Sequence, residues 1–250
     1  MDPFFSIIIP VYNCEGTIYE TLQSVLLQTY NDYEVVIIND CSTDNSIAEI
    51  SKIRDNFLNI KIIHNSNNLG VAESRNVGIK NATGNYIAFL DGDDVWTAEK
   101  LEKQKSVIGR TNCDICCTSY DFIDENSQKI KNTYVVPEYI GYEILLKQNY
   151  IGCSTAVVKR ELLLKNPMDK NYQHEDYALW LKLSRNGAKI IGIKEPLVKY
   201  RILNSSRSYN KSKAAKGRMS IYINQEKLGL FKSLYYFMFY AFNGLKKKLL

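Results

Sequence analysis

The densest chemistry in the chain lies at Asp91-Gly92-Asp93-Asp94, three carboxylates in four positions directly after the apolar run Tyr86-Ile87-Ala88-Phe89-Leu90. Carboxylates this close repel one another, so their natural guest is a cation, or an anion and a cation together. Aspartate oxygens suit hard Mg2+ or Mn2+, which keep several waters and bridge to substrate phosphates. Gly92 lets the chain turn closely between the acids. A solvated acidic turn would have the same composition, so the stretch gains weight only from its surroundings. Polar residues also follow two other apolar runs: Tyr12-Asn13-Cys14-Glu15-Gly16 after the first, and Asn39-Asp40 after the second. A further acidic pair, Glu175-Asp176, follows His174 at the start of a helical pattern. Negative charge is favourable in a helix's first turn, so a simple N-terminal cap explains that pair equally well.

The elements that must position these groups are legible from apolar periodicity. Residues 6–11, 33–38, 60–64 and 86–90 read as short buried strands, too short for helices. Between them, residues 17–30 place Ile18, Leu22, Val25 and Leu26 on one helical face, and helices are expected after Asp44 and over 70–80. Three strand-then-helix units leading into a fourth strand predict a parallel, doubly wound α/β sheet. In such sheets ligands bind outside the carboxyl ends of the strands, which gathers Tyr12, Asn13, Asp40, Asp91 and Asp93 around one crevice. Beyond it, helices are expected over 96–107, 142–148 and 174–184. Strands are expected over 113–123, 131–136, 152–159, 189–193 and 197–202, with a loop over 204–212.

The chain has 250 residues, 45% hydrophobic and 24% charged, with a net charge of +5. That is ordinary for a soluble domain with a sizeable core and modestly favourable to anionic partners; no nucleic-acid partner is expected. Met1-Asp2-Pro3-Phe4-Phe5 has no basic region and leads straight into a strand, so no signal peptide is expected and a cytoplasmic location is. The six cysteines then read as free thiols, and Cys113-x-x-Cys116, with no second such pair, as small core residues. Near the end, Leu228, Phe231, Tyr235, Met238, Phe242, Leu245 and Leu249 form an apolar stripe flanked by Lys227, Lys232 and Lys246-Lys247-Lys248. The stripe is too interrupted to cross a bilayer but suits a helix lying in the membrane interface; packing on the domain or a dimer seam is as compatible.

Taken in order, Ile9-Pro10-Val11-Tyr12-Asn13, Asn39-Asp40-Cys41-Ser42-Thr43-Asp44, Asn68-Leu69-Gly70-Val71-Ala72-Glu73-Ser74-Arg75-Asn76, Asp91-Gly92-Asp93-Asp94 and His174-Glu175-Asp176 with Leu179-Trp180 resemble an inverting family 2 glycosyltransferase of the GT-A fold. Residues 6–212 carry the likeness, and the tail resembles bacterial members that build surface polysaccharides, such as teichuronic acid and O-antigen enzymes. The resemblance implies a single catalytic domain over 1–212, with a nucleotide-sugar half (1–108), an acceptor half (109–212) and a helical tail over 213–250. It implies donor contacts at Pro10, Val11, Tyr12, Asn13, Glu15, Asp40, Gly70, Arg75, Asp91, Gly92 and Asp93. It also implies an Mn2+ or Mg2+ cofactor at Asp93 with Asp91, and acceptor contacts at Glu175 and Trp180. Asp176 resembles the base that takes the acceptor's proton.

The implied activity is transfer of one sugar, from a UDP-hexose, to a lipid-linked saccharide at the inner face of a bacterial membrane, with a homodimer as a further expectation. Cys41 stands where the family more often has Gly. No histidine follows Tyr200-Arg201, so diphosphate oxygens and water would complete the metal's shell. The Gln-x-x-Arg-Trp signature of processive synthases is absent. A sugar-phosphate nucleotidyltransferase would need a glycine-rich basic loop where Tyr12-Asn13-Cys14-Glu15-Gly16 stands. A non-catalytic nucleotide-sugar-binding protein would not need Asp176.

Overall fold

The computed structural model describes residues 2–203 and 211–249. Its first half alternates strands and helices: β1 (Phe5–Val11), α1 (Ile18–Leu26), β2 (Tyr33–Asn39), α2 (Ser46–Ser51), β3 (Ile60–His64), α3 (Val71–Asn81) and β4 (Tyr86–Phe89). Ile7, Ile8, Ile9, Val35, Val36, Ile37 and Ile38 are all fully buried, because β-branched residues on both faces of a strand need helices on both sides of the sheet. Gly78 on α3 allows one of these helices to approach closely. A Cβ there would stand 2.6 Å from Ile8 Cγ2 and 2.7 Å from Ile38 Cδ1.

The second half contributes β5 (Val95–Trp96), α4 (Lys100–Thr111), β6 (Ile115–Ile123), α5 (Tyr142–Lys147), β7 (Val157–Lys159), α6 (Arg160–Lys165), α7 (Glu175–Arg185) and β8 (Ile190–Arg201). One eight-stranded sheet runs in the order β3-β2-β1-β4-β7-β6-β8-β5, so the two halves share a single core. β1 pairs in parallel with both β2 and β4, which makes it the point where strand order reverses. A crevice opens at such a point, outside the carboxyl ends. β7 is antiparallel to β4 and β6, while β6 and β8 are parallel.

Several elements differ from the sequence expectation. The helix expected from Trp96 begins at Lys100, because Val95 and Trp96 pair with Lys199 and Val198 as a short edge strand. The strand expected over 152–159 is a 3-10 turn, Cys153–Thr155, followed by the three residues of β7. Residues 131–136 contribute only the isolated bridge Tyr120–Tyr134. The two strands expected over 189–202 are one, β8, with its register broken opposite Thr118–Tyr120, where Pro196 has no N–H to give the ladder. The short helix α6 has no counterpart among the expectations. The loop expected over 204–212 lies outside the described residues up to 210, and Lys211 and Ser212 begin α8.

The tail folds as α8 (Lys211–Ser220), a π-helical turn (Ile221–Gln225) and α9 (Gly229–Leu249). It is built onto the domain. The Tyr222 hydroxyl donates to the Leu146 carbonyl (2.6 Å), the Tyr142 hydroxyl to Glu226 (2.6 Å) and the Tyr236 hydroxyl to Glu143, all against α5. Arg218 is buried with its guanidinium 3.7 Å from the Tyr177 ring of α7 and 4.8 Å from that of Tyr240. The opposite face of α9 leaves Leu230, Phe231, Leu234, Tyr235, Met238 and Phe242 exposed. Among the described residues no helix is long and apolar enough to cross a membrane.

Candidate active site

Three loops close the crevice at the carboxyl edge, and each is tied to the next. After β1, Asn13 turns through φ +49°, a left-handed conformation that asparagine tolerates, and its Oδ1 accepts the Thr43 N–H at 2.8 Å. Glu15 accepts the Asn45 N–H (2.8 Å), so the loop after β1 is stitched to the loop after β2. Asp40, buried at the end of β2, spends both oxygens on the next loop: Oδ1 accepts from Leu69 N and Asn65 Nδ2, and Oδ2 accepts from Gly70 N. Gly70 sits at φ +82°, a conformation that favours glycine. Tyr12 is 53% exposed at the mouth and Pro10 is partly exposed, whereas the Val11 side chain belongs to the core.

The acidic turn after β4 is held through its backbone. Thr17 and Thr21 of α1 donate hydroxyls to the Gly92 carbonyl, and Thr21 donates to that of Asp94 as well. The Asp91 N–H is taken by Ser154 Oγ (3.1 Å). From the end of β8, Arg201 reaches the same turn: its backbone N–H donates to Asp94 Oδ1, and its Nε to the Asp93 carbonyl at 2.8 Å. The rest of that buried guanidinium binds Glu20 and the carbonyls of Asp124 and Glu125. Arg201, Thr17, Thr21 and Ser154 had no functional weight in the sequence. Nothing in their local pattern shows that they meet residues 60 to more than 100 positions away.

Arg75 joins the two ends of the site. Its Nη2 lies 2.5 Å from Asp91 Oδ1 and its Nη1 2.8 Å from Glu175 Oε1, with the guanidinium buried. One side chain from α3 thus ties the acid after β4 to the first turn of α7, where the partly exposed Asp176 follows. The expectations need correcting at three residues. Arg75 is locked between two carboxylates rather than open to a diphosphate. Glu175 is that arginine's buried partner rather than an acceptor contact. Trp180, 0% exposed with its ring 6.2 Å from that of Phe89, is core rather than acceptor surface.

The electrostatics separate the acids by role. Burial, with Glu175 as the next cause, pushes the Asp176 carboxyl up to about 6, and Arg75 pulls it back. Burial, followed by the charge of Asp91, likewise raises Asp93 to about 6. Asp94 is buried with Oδ1 accepting from the Arg201 backbone, and burial, followed by the charges of Asp93 and Asp91, raises its carboxyl well above the ordinary range. Asp91 and Asp93 offer hard oxygen donors whose mutual repulsion a divalent cation would relieve, so the donor chemistry fits Mg2+ or Mn2+. Among the described residues no group of three or more His, Cys, Asp or Glu gathers into a complete metal cage. The shell would therefore need oxygens from outside the protein.

Two tests follow from this geometry. Arg75→Met leaves Asp91 and Glu175 without their buried counter-charge, and unfolding in urea should show a loss of about 3–5 kcal/mol. Adding Glu175→Gln should recover part of it; equal stability of native and Arg75→Met chains would remove the arginine from its central place. The second test uses pH. The folded chain holds the Asp176 proton more tightly than the unfolded chain, so this contribution is fully present below about pH 4 and lost as pH rises through about 6. Asp176→Asn should accordingly match the native chain at pH 4 and exceed it at pH 8, by on the order of 1–2 kcal/mol after solvent screening. A variant less stable than native at pH 8 would contradict the raised value.

Comparison with known proteins now has a site to refer to. Residues 6–165 match the model of Glycosyl transferase family 2. The putative teichuronic acid biosynthesis glycosyltransferase TuaG of Bacillus subtilis is 35% identical over 250 residues, covering 99% of this chain and 98% of that protein. The Escherichia coli UDP-Glc:alpha-D-GlcNAc-diphosphoundecaprenol beta-1,3-glucosyltransferase WfgD is 38% identical over 248 residues, covering 98% and 95%. Among solved structures, Staphylococcus aureus TarS 1-349 in complex with UDP-GlcNAc superposes with a TM-score of 0.73 at 22% identity, over 90% of this chain and 67% of that one. The mannosyltransferase PcManGT from Pyrobaculum calidifontis in complex with GDP-Man and Mn2+ gives 0.71 at 17% identity, over 92% and 66%. The chain is a GT-A-fold glycosyltransferase and belongs to glycosyl transferase family 2.

Proposed function

We propose that this glycosyltransferase moves one sugar from a nucleotide-sugar donor, a UDP-hexose, to a lipid-linked saccharide, by a single displacement that inverts the anomeric centre. The observation that carries the reading is the Arg75 bridge, which sets the first acid of the turn after β4 and the helix bearing Asp176 on either side of one buried charge. The activity named for the E. coli relative, glucose transfer from UDP-Glc to a GlcNAc-diphosphoundecaprenol, supports the donor and acceptor classes.

In this reading Pro10, Tyr12 and Asn13 receive the base of the nucleotide, with Asp40 fixing the Gly70 loop beside them. Asp93 with Asp91 would hold Mg2+ or Mn2+, which when bound supplies positive charge beside the diphosphate leaving group. Arg75 keeps Asp91 oriented and stays charged at every working pH. Asp176 accepts the proton of the acceptor hydroxyl as that oxygen attacks the sugar from the face opposite the diphosphate. A carboxyl near 6 is ionised at neutral pH yet basic enough to take a proton, the compromise that general-base catalysis favours. Buried Tyr177, Ala178 and Trp180 hold the start of α7 in place, so the base is aimed by packing.

Activity should rise with pH through a limb near 6. Asp176→Asn should lower the transfer rate by about a hundredfold or more while UDP-sugar binding stays within a few-fold of native. Asp93→Ala should weaken both the metal dependence and the rate. Native transfer rates in both variants, followed by UDP release from a panel of UDP-sugars, would overturn the assignment of roles. Pyrophosphate release from UTP and a sugar phosphate would instead mark a nucleotidyltransferase.

The exposed face of α9 supports a peripheral place at the inner membrane surface. Leu230, Phe231, Leu234, Tyr235, Met238 and Phe242 form a stripe wider than scattered surface apolar residues, and the sequence adds Lys232 and Lys246-Lys247-Lys248 beside it. Phe231→Asp with Met238→Asp should release the full chain from vesicles containing phosphatidylglycerol and leave UDP-sugar hydrolysis intact. Unchanged sedimentation with vesicles would refute the membrane role, and conversion of a dimer to a monomer would identify the face as a seam between copies.

A further inference from the structure

A second concavity lies beside the N-terminus of α7. Asn171, Tyr172 and Gln173 form one wall and Lys213, Lys216 and Ser220 of α8 the other, enclosing about 240 Å³. At roughly 30 Å³ per water that is room for about eight waters, ample for a diphosphate. Every named lining side chain has a hydrogen-bond donor, two are lysines and none is acidic. The sequence of α8 carries Lys211, Lys213, Lys216 and Arg218 and contains no Asp or Glu. The cleft walls thus present hydrogen-bond donors and positive charge suited to an anion.

Its position relates it to the reaction. Gln173 is three residues before Asp176, so the cleft wall stands within about 10 Å of the base along the chain. α8 is pressed onto that segment: a Cβ on Gly217 would meet Gln173 Cβ at 3.2 Å and His174 Cδ2 at 3.5 Å. The next residue, Arg218, stacks on Tyr177, so cleft and base form one packed unit. A substrate spanning the two would place its sugar at Asp176 and an anionic substituent at the lysines. Farther along the same tail, α9 presents its apolar face.

We propose that the cleft between Asn171–Gln173 and α8 binds the diphosphate linking the acceptor sugar to its lipid, with Lys213 and Lys216 meeting its charge. The proposal rests on the lipid-linked acceptor of the preceding section and assigns it a subsite. Lysine meets phosphate as a mobile point charge, which suits a diphosphate that must enter and leave at each turnover.

The test uses the full chain with saturating UDP to fill the donor crevice, and titrates geranyl diphosphate as a soluble stand-in. Lys213→Ala/Lys216→Ala should weaken geranyl diphosphate binding by about tenfold or more, since two charge-assisted contacts are lost, while affinity for UDP measured separately is unchanged. Lys216→Arg should retain most of the binding. In a transfer assay with UDP-glucose, the double variant should raise KM for an alkyl-diphospho-N-acetylglucosamine acceptor with little change in kcat. Its KM for an alkyl N-acetylglucosaminide lacking phosphate should not move. Undiminished geranyl diphosphate binding in the double variant overturns the subsite whatever the transfer assay shows. So does a loss confined to phosphatidylglycerol vesicles, which would give the lysines to bilayer headgroups. Failure of the native chain to use UDP-glucose or either acceptor refutes the substrates proposed above, and the geranyl diphosphate result still decides whether the cleft is an anion site.

Discussion

A buried arginine between two carboxylates is the constraint on which the site depends. Taking the Arg75 guanidinium out of water opposes its charge, and the surrounding field of Asp91, Cys153, Glu175 and Asp176 more than restores it. Such an arrangement contributes little net stability compared with an apolar substitute, but removing one member strands the others in a low dielectric. What it supplies is geometry. Two hydrogen-bonded contacts from one planar group fix the distance and angle between the turn after β4 and the start of α7, elements that no backbone ladder connects. The same charge restrains the upward pull of burial on Asp176, keeping that carboxyl within reach of neutral pH. Orientation and acidity of Asp176 therefore have a common origin.

Arg201 performs a different task with the same chemistry. Its contacts go to the carbonyls of Asp93, Asp124 and Glu125 and, through its backbone, to Asp94. With the Thr17 and Thr21 hydroxyls on the other side, the turn is gripped by its main chain, and Asp91 and Asp93 remain partly exposed toward the crevice. Groups positioned this way need little reorganisation when charge develops on a leaving group. Asp94 completes the bracket from the buried side, where burial and the neighbouring acids raise its carboxyl well above the ordinary range and so oppose a third charge at this strand end.

The sequence made the first half legible because its signals are local. Runs such as Ile7-Ile8-Ile9 and Val35-Val36-Ile37-Ile38 can satisfy their apolar faces only as central strands, and strand ends in an open α/β sheet define where ligands sit. The second half resisted because its elements are short and set by tertiary contact. Val95-Trp96 is a strand only because β8 lies beside it, and Cys153–Thr155 curls where a strand pattern is written. Which of Glu175 and Asp176 is buried against Arg75 turns on one helical step, about 100° of rotation. A pairing between residues 100 positions apart leaves no trace in the local pattern. Trp180 misled for a related reason: an aromatic residue near a base resembles a sugar platform until the sheet is seen to cover it.

The tail changes how the domain should be divided. Read as sequence, 213–250 is an appendage, yet Tyr222 is fully buried and Arg218 is enclosed by the rings of Tyr177, Tyr222 and Tyr240. The Arg218 Nε and Nη1 have no hydrogen-bond partner among the described residues, so the aromatic faces offset much of the cost of burying this charge. Since Tyr177 directly follows Asp176, any displacement of α8 is felt at the base within one residue. A helix that only tethered the enzyme to a surface would not need this coupling. Packing the tail against the catalytic helix makes sense where both handle one long substrate, the base acting on its sugar and α8–α9 facing the charged and apolar parts that follow. The proposed acceptor subsite would make the tail its outer wall.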